Sequence, residues 1–272
     1  MKQREIIARS FRFRKNMRYI AKLFSKENLE ILFIKGLSYI NEKEFRVNRT
    51  FADIDILIEK ENLRKAVKIL EKEGFVIDKT NHSIKYAIKY THHLELLNFE
   101  KNIFIELHFR ITKKYSHYNP KTSELIERKV LKKFEDYNYF VPSDEDNFLI
   151  YVLQLFHGDY LARQGNNKNL FAINYILKNK KLDWNLLIKL AYRYKMDHLL
   201  FLLRDYLKYK KKMIYMRIPK IKVKNKTFPK WLYLTLRSLK LKFNFHYYIG
   251  INDMIVNPFK YKFKTFKRWI AK

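Results

Sequence analysis

Two aspartates separated by one residue lie in an apolar segment and could bind a cation together. Asp53 and Asp55 alternate with Ile54, Ile56 and Ile58. Because successive side chains of an extended strand point to opposite faces, the two carboxylates would share one face and the isoleucines the other. Burying a charge is costly unless the charge is paired or coordinates a metal. The pattern therefore favours a divalent cation on the acidic face, with a solvent-facing strand edge as the alternative.

A third acid follows in the segment Phe-Ile-Glu-Leu-His-Phe-Arg, where Glu106 and His108 share one face. Three carboxylates on neighbouring strands are typical of sites where two divalent cations clamp the attacking and leaving oxygens of a phosphoryl transfer. Magnesium is the expected metal because it prefers hard oxygen ligands. Glu106 is also a candidate general base. For His108 we weigh a contact with substrate, the orientation of Glu106 and a purely structural role.

A phosphate-binding turn is predicted upstream of the aspartates. The apolar run Ile31–Ile34 ends at Lys35 and Gly36. A glycine lets the backbone approach a phosphate at the end of a strand, where the first amides of a helix bind anions. Lys35, Ser38 and Arg49 are the candidates to contact a triphosphate, in that order of preference.

The first half of the chain alternates between helical and extended patterns. Residues 2–22 hold eight Lys or Arg and one acid around an apolar stripe, which predicts a basic helix continuing to about Leu29. This helix either faces a polyanion or has an ordinary solvated basic face. A second, amphipathic helix is predicted over Glu61–Glu73, with Gly74 as its C-terminal cap. Short strands are predicted at Phe75–Ile77, Ile84–Ile88, His93–Phe99 and Ile103–Phe109, the last two forming an antiparallel hairpin.

The second half of the chain reads as helical. We expect a break around Tyr137–Pro142, after which Ser143 caps a helix with acids in its first turn. Helices are predicted over Asn147–Arg163, Lys168–Lys178, Asp183–Lys195 and His198–Lys212. The sequence thus predicts an α/β chain: a catalytic domain over 1–140 with a mixed sheet, an all-helical domain over 141–212, and a basic, aromatic-rich segment over 213–272.

Composition limits the partners and the compartment. The formal charge is +31, and residues 206–272 contain 19 Lys or Arg against one acid, Asp253. Aromatic residues alternate with the cations in Phe259–Lys264, which favours RNA or single strands, an anionic membrane surface, or a solvated lysine face over packed aromatics. There is no cysteine, so disulfides and cysteine nucleophiles are excluded. With no apolar run long enough to span a membrane and no signal-peptide pattern, a soluble cytoplasmic protein is expected.

Three histidines near the predicted strands, His82, His92 and His93, have the composition of a metal cluster. The sequence offers no third ligand at a suitable spacing among them. We therefore interpret them as surface or hydrogen-bonded histidines.

The chain resembles the uncharacterised nucleotidyltransferase family, part of the polymerase-β-like nucleotidyltransferase superfamily. The resemblance rests on Lys35-Gly36, on Arg49 followed by Asp53-Ile-Asp55-Ile-Leu-Ile, and on Glu106-Leu-His108-Phe. It covers residues 30–110 well and 145–205 loosely. The chain departs from the superfamily pattern at Leu37, which follows Gly36 where Ser or Gly is usual.

The resemblance implies magnesium-dependent transfer of a nucleoside monophosphate from a triphosphate to an acceptor, with release of pyrophosphate. The charge favours an RNA acceptor. Two alternatives use the same fold: a toxin-type enzyme of the abortive-infection kind that modifies transfer RNA, and a non-catalytic module that binds nucleic acid.

Overall fold

The computed structural model describes residues 3–48, 51–78, 83–112, 116, 118–157, 166–209 and 217–224. The chain divides into two compact units. The first comprises residues 1–151 with 171–183, and the second comprises residues 152–170 with 184–272. Proposed domain boundaries at 140 and 212 stay predictions.

The first unit is built from short helices and strands that follow each other closely. In chain order they are α1 (Gln3–Lys26), β1 (Leu32–Phe33), a 3₁₀ helix (Lys35–Tyr39), α2 (Lys43–Val47), β2 (Ile54–Leu57), a 3₁₀ turn (Lys60–Asn62), α3 (Leu63–Lys72), β3 (Val76–Ile77), α4 (Ile84–Tyr90), β4 (His93–Asn98), β5 (Ile103–His108), α5 (Thr122–Glu127), β6 (Val130–Phe134), β7 (Tyr137–Val141) and the start of α6 (Asp144–His157).

These strands form one mixed sheet of seven strands in the order β3-β4-β5-β2-β1-β7-β6. Strands β2 and β5 are parallel, as are β1 and β7, whereas β1 and β2 and the remaining neighbours are antiparallel. The predicted β4–β5 hairpin is confirmed, and Asn102 in its turn has a positive φ of 49°. Asparagine tolerates this backbone region better than most residues. The two acidic segments thus meet at the centre of the sheet.

The basic N-terminal helix is confirmed as α1, and its apolar stripe is buried. Phe13, Met17, Ile20 and Phe24 are each at most 5% exposed. Their spacing of three or four residues places them on one helical face. The exposed face carries Arg9, Arg12, Lys15, Lys22 and Lys26.

The prediction of a strand over Ile84–Ile88 is wrong, because this segment forms helix α4. The Ser83 hydroxyl accepts a hydrogen bond from the Tyr86 amide and caps the helix N-terminus. Thr91, whose hydroxyl is 3.1 Å from the Ala87 carbonyl oxygen, ends it. Such local capping favours a helix over an extended segment of the same composition.

The predicted break at Tyr137–Pro142 is also wrong in its first part. Residues Tyr137–Val141 form β7, which pairs with β1 through Phe140 and Leu32 and with β6 as a hairpin. The sequence does not predict β6, because the neighbouring apolar residues Val130 and Leu131 break the alternating pattern of a strand. Both side chains are exposed, at 42% and 56%. The predicted cap beyond the break is confirmed, since the Ser143 hydroxyl accepts a hydrogen bond from the Asp146 amide at 3.1 Å.

The second unit is helical. Helices α6 (Asp144–His157) and α7 (Asn166–Asn179) cross from one unit to the other, and α8 (Trp184–Arg193) and α9 (Asp197–Tyr209) follow. Residues 217–224 pack on these last two helices, because Asp197 accepts a hydrogen bond from the Lys224 amide and the Tyr192 hydroxyl donates one to the Lys222 carbonyl. The basic segment Phe259–Lys264 lies outside the described residues. The predicted α/β class with a mixed sheet, flanking helices and a helical C-terminal region is confirmed.

Gly74 ends α3 in the left-handed region, at a φ of 81°. Replacing it with Ala should lower the free energy of unfolding by about 1–2 kcal/mol, because a Cβ disfavours this conformation. The added Cβ would also lie 3.3 Å from the Asn98 side-chain nitrogen. Gly74→Asn adds the same Cβ but tolerates the positive φ, so it should lose less stability. Denaturant unfolding of both variants separates the two effects, and equal losses would contradict a backbone cause.

Candidate active site

Asp55 and Glu106 lie side by side on neighbouring parallel strands. Asp55 in β2 is the register partner of Glu106 in β5. Because register partners project from the same face of a sheet, their carboxylates converge. Asp53 lies two residues before Asp55, just ahead of β2, and the negative charges of Asp55 and Glu106 act on its carboxyl group. Two of the three acids predicted from the sequence, Asp55 and Glu106, are therefore paired on one face of the sheet, and Asp53 lies close enough for their charges to act on it.

Lys35 supplies the positive charge that balances these acids. It follows β1, which pairs antiparallel with β2. Its backbone has a φ of 55°, and the residue opens the 3₁₀ helix that also contains Gly36. The Lys35 ammonium contacts Asp55 and lies 3.0 Å from Glu106 Oε2. Removing this one side chain would leave adjacent carboxylates without their nearest cation.

His108 is the second group that bridges the two strands. Its ring is 2% exposed, and Nε2 lies 3.0 Å from Asp55 Oδ1 and 3.1 Å from Glu106 Oε2. Carboxylate oxygens accept hydrogen bonds, so Nε2 carries the proton and donates it. This geometry holds the two carboxylates in fixed positions.

The pKa values of the three groups are pushed in different directions. Burial raises the pKa of Asp53 to about 7, and the negative charges of Asp55 and Glu106 add to the effect. Burial acts the same way on Glu106, but hydrogen bonding from His108 and the charge of Lys35 outweigh it and hold the pKa of Glu106 well below its usual range. For Lys35, burial favours the neutral form, but Asp55 and Glu106 raise its pKa. Of Asp53 and Glu106, Asp53 is thus the acid that takes up a proton more readily at neutral pH.

The remaining sequence candidates have different surroundings. Gly36 is buried within the 3₁₀ helix that Lys35 opens. Ser38 is fully buried, and its hydroxyl lies within hydrogen-bonding distance of the Phe33 carbonyl and the Asn147 side chain. These contacts tie the helix to α6, and the predicted phosphate contact of Ser38 stays a prediction. Arg49 lies outside the described residues.

The sequence did not predict Glu95 as part of the site. It adds a fourth carboxylate to Asp53, Asp55 and Glu106, and we call these four residues the acidic row. Glu95 in β4 is the register partner of Glu106, and His93 Nε2 lies 3.2 Å from its Oε1. The alternation His93-Leu-Glu95 beside the Glu106 strand was the available signal. Only the pairing of β4 with β5 shows that this alternation places Glu95 next to Glu106.

The donor set fits a hard divalent cation. Asp53, Asp55 and Glu106 offer carboxylate oxygens, the ligands that Mg²⁺ prefers. One ligand atom each from Asp55, Glu106 and His108 lies within 4.8 Å of the others. A cation, the Lys35 ammonium, already bridges two of the carboxylates.

The fold is a mixed α/β sheet in which two parallel strands bring acids together beside a lysine turn. The model of the uncharacterised nucleotidyltransferase family matches residues 2–209, and the chain belongs to this family. The resemblance drawn from the sequence motifs is confirmed. No curated protein matches the chain in a sequence comparison. Among the described residues, no helix combines the length and the apolar character needed to cross a membrane.

The raised pKa of Asp53 predicts a pH-dependent cost to stability. The folded protein keeps a proton up to about pH 7 that the unfolded chain loses near pH 4, so the cost of ionising Asp53 builds up between these values. Without divalent cations, Asp53→Asn should therefore be more stable than the wild type at pH 8, by about 2–4 kcal/mol. At pH 4 the gain should disappear.

Urea unfolding of both proteins at the two pH values, with a chelator present, measures this difference. Comparing the variant with the wild type at each pH cancels the other titrating groups. An equal stability difference at pH 4 and pH 8 would show that Asp53 is not held among negative charges.

Proposed function

We propose that this chain is a magnesium-dependent nucleotidyltransferase that transfers a nucleoside monophosphate from a nucleoside triphosphate to an acceptor hydroxyl. The observation that carries the proposal is the convergence of Asp55 and Glu106 on paired strands, with Lys35 in contact with both. Family membership supports the reaction class.

In this reaction, the acceptor oxygen forms a bond to the α-phosphorus of the triphosphate. The bond between the α-phosphorus and the bridging oxygen breaks, pyrophosphate leaves, and the acceptor hydroxyl loses its proton. Asp53, Asp55 and Glu106 would hold the divalent cations, which in such sites neutralise the phosphates and activate the acceptor oxygen. The side chains of the protein itself position the partners and accept the proton.

Lys35 is our candidate for the triphosphate contact. Its ammonium is held by Asp55 and Glu106 at the turn where β1 ends. A triphosphate carries more negative charge than the two carboxylates and would compete with them for the ammonium. Gly36, next in the chain, would let the backbone approach the phosphates.

Asp53 and Glu106 have different electrostatic surroundings when no cation is bound. A bound divalent cation would lower the pKa of either carboxyl group, because positive charge favours the ionised form. The pKa of Asp53 is raised to about 7, chiefly by burial, whereas His108 and Lys35 overcome burial to hold that of Glu106 well below its usual range. The structural surroundings thus separate two acids that look equivalent in the sequence.

RNA is the acceptor that we propose, because the chain carries a formal charge of +31. A charge of this sign and size attracts polyanions at long range. The exposed cations of α1 (Arg9, Arg12, Lys15, Lys22 and Lys26) form one such surface in the described part of the chain. We propose the cytoplasm as the compartment, which fits a chain without cysteine.

Replacing Asp53 and Asp55 together with Asn should lower nucleotide transfer by about 10²–10³-fold or more, while the fold persists. The assay incubates the protein with each labelled triphosphate, Mg²⁺ and total cellular RNA, and follows the label into RNA. The exposed Glu61→Gln variant is the matched control and should keep full activity. Transfer by the double variant at the wild-type rate would overturn the assignment. Label confined to transfer RNA would favour the toxin-type alternative.

RNA binding should weaken steeply with salt, because each phosphate contact releases counterions. Changing Arg9, Arg12 and Lys15 to Gln should make the slope of log K against log salt less steep by about 2. The control removes the same charge from α3, at the exposed Arg64, Lys68 and Lys72, and should leave the slope near its wild-type value. Fluorescence anisotropy with single-stranded RNA provides the measurement. Binding that does not respond to salt would exclude an electrostatic RNA surface.

A further inference from the structure

Three histidines from two adjacent strands lie together beside the acidic row. His92 immediately precedes β4, His93 begins β4, and His108 ends β5 as the register partner of His93. One nitrogen from each ring lies within 4.8 Å of the other two. In the sequence, His92 and His93 have no third ligand at a suitable spacing, and His82 lies outside the described residues. Strand pairing supplies that ligand as His108.

In its neutral form, His108 has a ring nitrogen available for a ligand bond. Nε2 donates its proton to the carboxylates of Asp55 and Glu106. Nδ1 is buried and has no hydrogen-bond partner among the described residues. In a neutral imidazole that donates through Nε2, Nδ1 carries a lone pair. A buried lone pair without a partner is unfavourable unless another group binds it.

His93 repeats the same arrangement. Its Nε2 lies 3.2 Å from Glu95 Oε1, so this nitrogen donates to a carboxylate and Nδ1 carries the lone pair. That Nδ1 lies 3.2 Å from His92 Nε2. A tetrahedral Zn²⁺ with Zn–N bonds near 2.0–2.1 Å holds its ligand nitrogens about 3.3 Å apart. Without an ion this spacing is that of a hydrogen bond between the two rings, and it also suits two neighbouring nitrogen ligands on one ion.

Carboxylates behind the histidines complete the pattern. Metal-binding histidines commonly donate their other ring N–H to a carboxylate, which fixes the ring and makes the ligand nitrogen more basic. Glu95 does this for His93, and Asp55 and Glu106 do it for His108. Two of the three rings thus have the support found around metal ligands.

We propose that His92, His93 and His108 bind a transition-metal ion of the Zn²⁺ type, separate from the Mg²⁺ ions assigned to the acids. Imidazole nitrogens suit Zn²⁺, Co²⁺ and Ni²⁺, whereas Mg²⁺ prefers oxygen. Three protein nitrogens leave the fourth tetrahedral position for water or a substrate oxygen. The proposal does not depend on nucleotide transfer, and its test reads metal binding alone.

The test titrates the full-length protein with Co²⁺ in the presence of excess Mg²⁺ and follows the visible absorption spectrum. The expected result is one tightly bound Co²⁺ with the intense bands of tetrahedral nitrogen coordination. Zn²⁺ should displace it and further Mg²⁺ should not. A weak octahedral spectrum, or binding that Mg²⁺ abolishes, would overturn the proposal using the wild-type protein alone.

Variants then locate the ion. His92→Gln should weaken Co²⁺ binding by at least about tenfold, and Glu95→Gln by about 10–100-fold through loss of the support for His93. Asp53→Asn, which alters the carboxylate site but none of the three rings, should leave Co²⁺ affinity unchanged. Circular dichroism checks that each variant folds. If Asp53→Asn abolishes Co²⁺ binding and His92→Gln does not, the ion belongs to the carboxylates and the histidine site is excluded.

Discussion

The site depends on one electrostatic balance: carboxylates gathered on a single sheet face need positive charge nearby. Asp55 and Glu106 are both largely buried, with side chains 8% and 19% exposed. Unpaired buried charges of like sign repel strongly, because water is not there to screen them. The Lys35 ammonium and the His108 ring supply the compensation. We propose that the same negative charge attracts the divalent cations.

The sheet topology turns this balance into a site. The parallel pairing of β2 and β5 places Asp55 opposite Glu106, although 50 residues separate the two acids in the sequence. Strand β1 lies on the other side of β2, so Lys35 at its end reaches the same face. Strand β4 then extends the row of polar groups to Glu95 and His93. A one-residue shift in any of these pairings would move a whole set of side chains to the opposite face.

The sequence predicted the features that depend on local pattern. Alternation in Asp53–Ile58 and Ile103–Phe109 identified the two acidic strands, and periodicity identified α1 and α3. Features that depend on long-range contacts were missed. Strand β6 carries exposed apolar residues, so its pairing with β7 left no pattern to read. The sequence predicts that Lys35 contacts phosphate, but only the folded chain shows that its ammonium contacts Asp55 and Glu106.

Segments whose composition suits two structures were decided by capping and burial. The residues of Ile84–Ile88 are typical of a strand, yet the segment is helical and the Ser83 side chain caps its N-terminus. The position of Ser38 in the sequence predicts a phosphate contact. In the folded chain Ser38 is buried and its hydroxyl donates a hydrogen bond to the Asn147 side chain. The histidine cluster shows the same limit, because its third member becomes adjacent only through the pairing of β4 with β5.

If the carboxylates bind divalent cations together with a triphosphate, as we propose, the affinity for the triphosphate must depend on the cation. Calorimetric titration of a non-hydrolysable triphosphate analogue, with and without Mn²⁺ as a magnesium substitute, tests this most directly. Tight binding is expected only when the cation is present, and the Asp53→Asn, Asp55→Asn variant should lose that dependence. Equal triphosphate affinity with and without the cation, or no binding in either condition, would contradict it.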